Sequence, residues 1–132
     1  MKNKLFINFI TLVLIFLGSN LKAETIFFDS KNIKIEENGN MIFATKGQAK
    51  IPSSNLIIEG DKFIYDKINS ELIVIDNVKY FDNENNMYIE SDKIIYNEVN
   101  NTIFSKSETF IKSEDDYEIK SIDVLYNRNL NK

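Results

Sequence analysis

The sequence predicts an all-β, antiparallel domain built from repeats of about thirty residues, and three observations predict it. A phrase recurs: Asp61-Lys62-Phe63-Ile64-Tyr65-Asp66 returns as Asp92-Lys93-Ile94-Ile95-Tyr96-Asn97 and, shortened, as Ile122-Asp123-Val124-Leu125-Tyr126-Asn127. The start-to-start spacings are 31 (61 to 92) and 30 (92 to 122) residues. From Glu24 onward apolar residues recur at spacing two, the period of a strand with one buried face, and no amphipathic helix stands out. Clusters of turn-forming residues punctuate these runs, and the one proline falls in such a cluster.

In chain order, Ile33 and Ile35 form the first run and lead into Glu37-Asn38-Gly39-Asn40, whose Asn-Gly pair tolerates the positive φ of a tight hairpin. Phe43, Thr45, Ala49 and Ile51 make the next run, ended by Pro52-Ser53-Ser54-Asn55. Leu56 and Ile58 then run into the unit beginning at Asp61. Its reversals are expected at Asn69-Ser70 and Asp82-Asn83-Glu84-Asn85-Asn86. In the following unit they fall at Asn100-Asn101 and Ser113-Glu114-Asp115-Asp116.

The repeats also assign an inward face. Phe63 and Tyr65 match Ile94 and Tyr96, then Val124 and Tyr126, with Ile33 and Ile35 before them. Leu72, Val74, Val78 and Tyr80 match Ile103, Ser105, Thr109 and Ile111. Met87 and Ile89 match Tyr117 and Ile119, and also Leu56 and Ile58. Side chains alternate across a strand, so stacking the units puts each set into a continuous apolar row. The opposite face carries Lys62, Asp66, Lys79, Glu90, Lys93 and Lys120, which suits water. Leu72-Ile73-Val74-Ile75 is apolar on both faces, so its outward residues are either covered or in a contact.

Composition narrows the chemistry. The 132 residues suffice for one domain and include neither cysteine nor histidine. That rules out disulfides, a lipidated cysteine and thiolate metal sites, and it removes the commonest general base and metal ligand. The acid pairs Glu36/Glu37, Asp82/Glu84 and Asp115/Asp116 lie in or beside expected turns, where carboxylates ordinarily keep loops solvated. Asp82–Asn86 has oxygen ligands at alternate positions. It fails as a calcium loop, because Met87 and Lys93 stand where that loop needs glycine and glutamate. No catalytic residue, metal site or cofactor is expected, and the chain does not read as an enzyme.

Residues 1–23 read as an export signal. Lys2 and Lys4 precede the 13-residue apolar run Leu5–Leu17, and a small, polar region ends at Ala23. At about 1.5 Å per residue the run reaches roughly 20 Å, short of a hydrocarbon core of about 30 Å. Cleavage after Ala23, with residues 24–132 as the exported domain, is the expectation; an uncleaved inner-membrane anchor is the alternative. Losing three lysines from the 16 basic residues leaves 13 against 20 acidic, a net charge of −7, which disfavours nucleic acid as a partner.

The recurring phrase resembles the "A-D-x-L-x-Y-D" repeat of the organic-solvent-tolerance (OstA-like) family. It does so at Gly60–Asp66 and Ser91–Asn97, and less fully at Ile122–Asn127. Leu72–Val78 and Phe43–Ala49 are similar to that family's "L-x-A-x-G-N-V" element, with Asp76 where the family has glycine. Ser107-Glu108-Thr109 departs further, degrading the third copy. The resemblance spans Thr25–Asn127. The family includes the periplasmic lipopolysaccharide-transport proteins LptA and LptC and the N-terminal domain of the outer-membrane assembly protein LptD. It implies a twisted, partly open antiparallel β-jellyroll whose apolar interior holds lipopolysaccharide acyl chains, with members joined through edge strands in the periplasm or at the outer membrane.

On that implication the groove is formed by Ile33, Ile35, Leu56, Ile58, Phe63, Tyr65, Leu72, Val74, Val78, Tyr80, Met87, Ile89, Ile94, Tyr96, Ile103, Ile111 and Ile119. The last unit is short, which leaves Val124, Leu125 and Tyr126 as an edge open to strand addition by another OstA-like domain. Two rival readings remain open. One is a structural or adhesive β-repeat protein that self-assembles and binds no lipid. The other is carbohydrate binding through the outward aromatics Phe81, Tyr88 and Phe104, which do not recur between copies.

Overall fold

The computed structural model describes residues 25–113 and 117–130. The expected export signal lies outside them, as does the 114–116 part of the last expected reversal, with Asp115 and Asp116. No helix among the described residues is long and apolar enough to cross a membrane.

Among the described residues nine strands form one antiparallel sheet. They are β1 Phe27–Glu36, β2 Met41–Ile51, β3 Leu56–Asp66, β4 Glu71–Asp82, β5 Met87–Asn97, β6 Thr102–Ser105, β7 Thr109–Lys112, β8 Glu118–Ser121 and β9 Val124–Asn127. The first five pair strictly with their sequence neighbours. Beyond β5 the sheet forks: β6 pairs the C-terminal half of β5 and then β9, while β7 pairs the N-terminal half of β5 and then β8. The sheet does not close, because β1 lies at one end of the strand order and β8 and β9 at the other. This is the all-β, antiparallel architecture that the repeats predict, in the open, jellyroll-like form that the resemblance implies.

The reversals fall where turn residues cluster. Two of them are short 3-10 turns, Glu37–Gly39 and Pro52–Ser54. Asn38, Gly39, Asn55, Ser70, Asn86 and Asn101 take positive φ, a conformation asparagine and glycine adopt at low cost. The last residue of the recurring phrase has a defined task. Asp66 Oδ1 accepts hydrogen bonds from the backbone N–H of Ile68 and Asn69. Asp82 does the same for Glu84 and Asn85. Asn97 receives Asn100, and Asn127 receives Leu130. An Asp or Asn ending a strand therefore caps the turn after it.

Each long strand is creased near its middle. The register shifts between Glu59 and Lys62, and again between Ile75 and Val78. Lys46, Asp76 and Asn77 have positive φ at the crease, so Asp76 occupies a backbone shape that favours glycine. Gly47 and Gly60 lie there too. A Cβ on Gly47 would stand 2.1 Å from the backbone oxygen of Asp29, and one on Gly60 would stand 2.4 Å from Cγ1 of Val74. Lys62 donates to Asp76 at 2.9 Å and Asn77 to Asp61 at 2.7 Å, pinning the fold line from outside.

At the third repeat the crease becomes a break between β6 and β7. The hydroxyls of Ser91, Ser105, Ser107 and Thr109 bond to one another there, with Ser91 to Ser105 at 2.8 Å and Thr109 to Ser105 at 2.7 Å. The degraded Ser107-Glu108-Thr109 copy is thus a satisfied polar knot that replaces apolar packing.

The crease divides the sheet into two arms that face each other. Phe28, paired with Ala49 in one arm, sets its ring 5.9 Å from that of Phe63, paired with Ala44 in the other. The core lies between the arms as one cluster drawn from both. Burying one large aliphatic side chain there contributes on the order of 1.5–3 kcal/mol, so the cluster dominates the stability of the fold.

Candidate functional site

Cross-strand pairing turns the periodic sets of the sequence into rows. In one arm Ile35 lies opposite Ile42, Ile42 opposite Tyr65, and Tyr65 opposite Leu72. The row continues through Tyr96, Ile103 and Tyr126. A parallel row in the same arm runs Ile33, Ala44, Phe63, Val74, Ile94. In the other arm Phe28, Ala49, Ile58, Tyr80, Ile89, Ile111 and Ile119 form the matching row. All three face inward.

Exposure along the rows is uneven. Leu56, Ile58, Phe63, Tyr65, Leu72, Val74, Val78, Tyr80, Ile89, Ile94, Tyr96 and Ile103 are buried against one another. Met87 and Ile111 are half-buried and pack on the cluster. The ends of the rows are open: Ile33 is 49% exposed, Ile35 62% and Ile119 53%. These three sit on the terminal strands β1 and β8, where no further strand among the described residues covers the inner face. The interior is thus filled by its own side chains in the middle and apolar to solvent at both ends. At the expected association edge, Leu125 is exposed, Val124 half-buried and Tyr126 buried. Strand β9 pairs β6 on one side and has no partner strand on the other among the described residues.

The doubly apolar Leu72–Ile75 stretch is explained by a second stripe on the outer surface. Phe43, Ile64, Ile73, Ile95, Phe104 and Leu125 lie opposite one another in succession. All but Leu125 are half-buried by their neighbours. Of the other outward aromatics, Phe81 and Tyr88 pair with ring centroids 5.0 Å apart.

Sequence reasoning treated Asp82 as a solvated turn carboxylate. The structure corrects this: Asp82 is buried and paired with Arg128, whose side chain is only 3% exposed. Arg128 Nε donates to Asp82 Oδ2 at 2.7 Å and Nη2 to Oδ1 at 3.1 Å, a bidentate fork. Nη2 also donates to the Ser54 carbonyl at 3.0 Å and to Glu84 Oε2 at 3.0 Å, and Nη1 to Asn101 Oδ1 at 3.0 Å. One side chain at the tip of one arm thereby grips the tip of the other. Burial pushes the Asp82 carboxyl up, but hydrogen bonds from Arg128 and Asn85 outweigh it and hold its pKa below the ordinary value.

Two features of the sequence point to the pair. Asp82 continues the inward parity of Leu72, Val74, Val78 and Tyr80, and Arg128 is the single arginine of the chain. The Tyr80 hydroxyl is buried near this pair, with no hydrogen-bond partner among the described residues. Burial raises its pKa far above the ordinary phenol value. Of the remaining acids, Glu36 and Glu37 are exposed, with Glu36 paired to Lys34.

Compared with protein-family models and with curated protein sequences, the chain matches none. What stands is an all-β, antiparallel fold of the sandwich or jellyroll kind, an elongated sheet folded over an apolar interior.

Proposed function

We propose that this chain is a non-enzymatic, periplasmic lipopolysaccharide-binding domain. It shelters acyl chains between its arms and passes the lipid towards the outer membrane. It acts either as an LptA-like bridge component or as the N-terminal part of an LptD-like assembly protein, joined to similar domains through its edge strands. The observation that carries this reading is the set of inward apolar rows that cross strand after strand and emerge uncovered at Ile33, Ile35 and Ile119.

Exposing a chain of about twelve carbons to water costs on the order of 10 kcal/mol, at ~0.8 kcal/mol per methylene. A non-directional apolar channel offsets that cost without chemistry. Because no position along a row is special, the lipid can shift from one repeat to the next.

A second reading, a self-assembling structural β-repeat protein without lipid, is favoured by the complete burial of Ile58, Leu72, Val74, Tyr80 and Ile94 in the middle of the fold. Titrating purified protein with a fluorescent fatty-acyl probe, then with lipopolysaccharide, separates the two. Saturable displacement is expected. Absence of probe binding would establish the structural reading.

A further inference from the structure

The interior is packed shut in its middle, so an acyl chain enters there only if the arms part. Their mouth is held by Arg128. We propose that Arg128 is a releasable clasp, whose grip on Asp82, Glu84 and Ser54 keeps the two arms closed and whose release opens the apolar interior. This rests on the acyl-sheltering reading of the same interior.

Three features point to a clasp rather than to one more core contact. The contact is polar and, beside one longer hydrogen bond from the Tyr126 hydroxyl to Asp82 Oδ2 at 3.4 Å, concentrated in the Arg128 side chain, so one rearrangement removes most of it. The fork reaches Asp82, Ser54 and Glu84 in the opposing arm, whereas its Asn101 contact lies in its own. A hydrophobic contact of equal extent would have to be peeled apart row by row. The far side of each arm is a built hinge, with positive-φ residues Lys46, Asp76 and Asn77 and the two glycines at the crease.

The test compares the full chain with Arg128→Gln and Arg128→Lys. All fluorescence comes from tyrosine, because the chain has no tryptophan. Acrylamide quenching of that fluorescence reads opening without lipid. Stopped-flow uptake of a fluorescent fatty acid reads entry. Arg128→Gln, folded by circular dichroism, should show at least twofold stronger quenching and roughly tenfold faster uptake, with Arg128→Lys between the two.

Wild-type quenching in folded Arg128→Gln overturns the clasp, and so does raised quenching with an unchanged uptake rate. If neither wild type nor variant takes up probe, the acyl reading fails and quenching alone decides the clasp. Should Arg128→Gln not fold, Glu84→Gln replaces it. Glu84 is a half-exposed acceptor at the rim of the clasp, and about threefold faster uptake is expected from its loss. Uptake and quenching at wild-type levels in that variant overturn the proposal.

Discussion

The ring of Phe28 meets that of Phe63 nearly edge-on, 5.9 Å between centroids and 76° between planes, although the two residues belong to opposing arms. Phe28 also lies 6.3 Å from Tyr65, so one side chain of the first strand touches two inward residues of the third. This contact closes the N-terminal end of the interior. Phe28→Ala should cost about 2 kcal/mol, less than a fully buried phenylalanine because Phe28 is only half-buried. A urea titration measures it, and a midpoint equal to wild type would deny the contact between the arms.

The assigned faces are tested by neighbours in sequence. Ile94 is fully buried and Lys93 exposed. Ile94→Asp places a charge in the core without a partner and should abolish cooperative unfolding. Lys93→Asp should stay within about 0.5 kcal/mol of wild type. Equal tolerance at both positions would reverse the inward and outward assignment.

At the crease, Gly47 allows β1 to approach. A methyl group there would meet Asp29 O at 2.1 Å and the Ser30 Cα at 2.6 Å, both of them backbone atoms that cannot rotate away. Gly47→Ala should therefore cost about 1–3 kcal/mol. The loss should be local, with amide exchange accelerating in β1 while β4 keeps its protection. Uniform acceleration would mean that the crease acts through the whole fold.

Acid should weaken the protein in a stated window. The pKa of Asp66 is lowered by hydrogen bonds from the backbone and side chain of Asn69. That of Asp82 is lowered too, burial being outweighed by Arg128 and Asn85. A carboxylate lowered by folding contributes in full above its unfolded value, near 3.9, and its contribution drains as pH falls through the lower folded value. The urea midpoint should fall steeply below about pH 4. In Asp66→Asn the fall should be shallower while the turn survives, because Asn97 and Asn127 cap the equivalent turns. An unchanged acid slope in that variant would count against the assignment.

Alkali acts with the opposite sign. Burial, with help from the Asp82 charge, pushes Tyr126 up to about 12, and burial pushes Tyr80 higher still. A raised phenol contributes fully below its unfolded value, near 10, and that contribution is lost as pH rises towards the folded value. Unfolding followed by circular dichroism should set in above about pH 10 and accompany ionisation of the buried tyrosines. Ionisation of all tyrosines near pH 10 without unfolding would contradict their burial.

Much of this was legible in the residues. Parity predicts that Phe63, Tyr65, Ile94 and Tyr96 share a face, because a strand leaves side chains only two directions. The degraded third copy falls where β6 and β7 separate, although nothing in the residues alone assigns it a structural meaning. The creases were harder, because Leu56–Asp66 reads as one continuous strand. The one-residue change of parity between Ile58 and Phe63 shows only once both neighbours are in place. Exposure of Ile33 and Ile35 was also hidden, since the alternation pattern does not say which strand ends the sheet. The Arg128–Asp82 pair lies 46 residues apart and joins two turns that local propensity treats as independent.

From β1 to β4 each strand hydrogen-bonds only to the strands next to it in the chain. Such a molecule can lengthen by duplicating one hairpin, because a new unit hydrogen-bonds its ladders only to the two flanking units. Folding can start at any turn and spread outward, since few early contacts require distant segments to find each other. The length of the apolar interior would then be a matter of how many copies are inherited, with no redesign of any one of them.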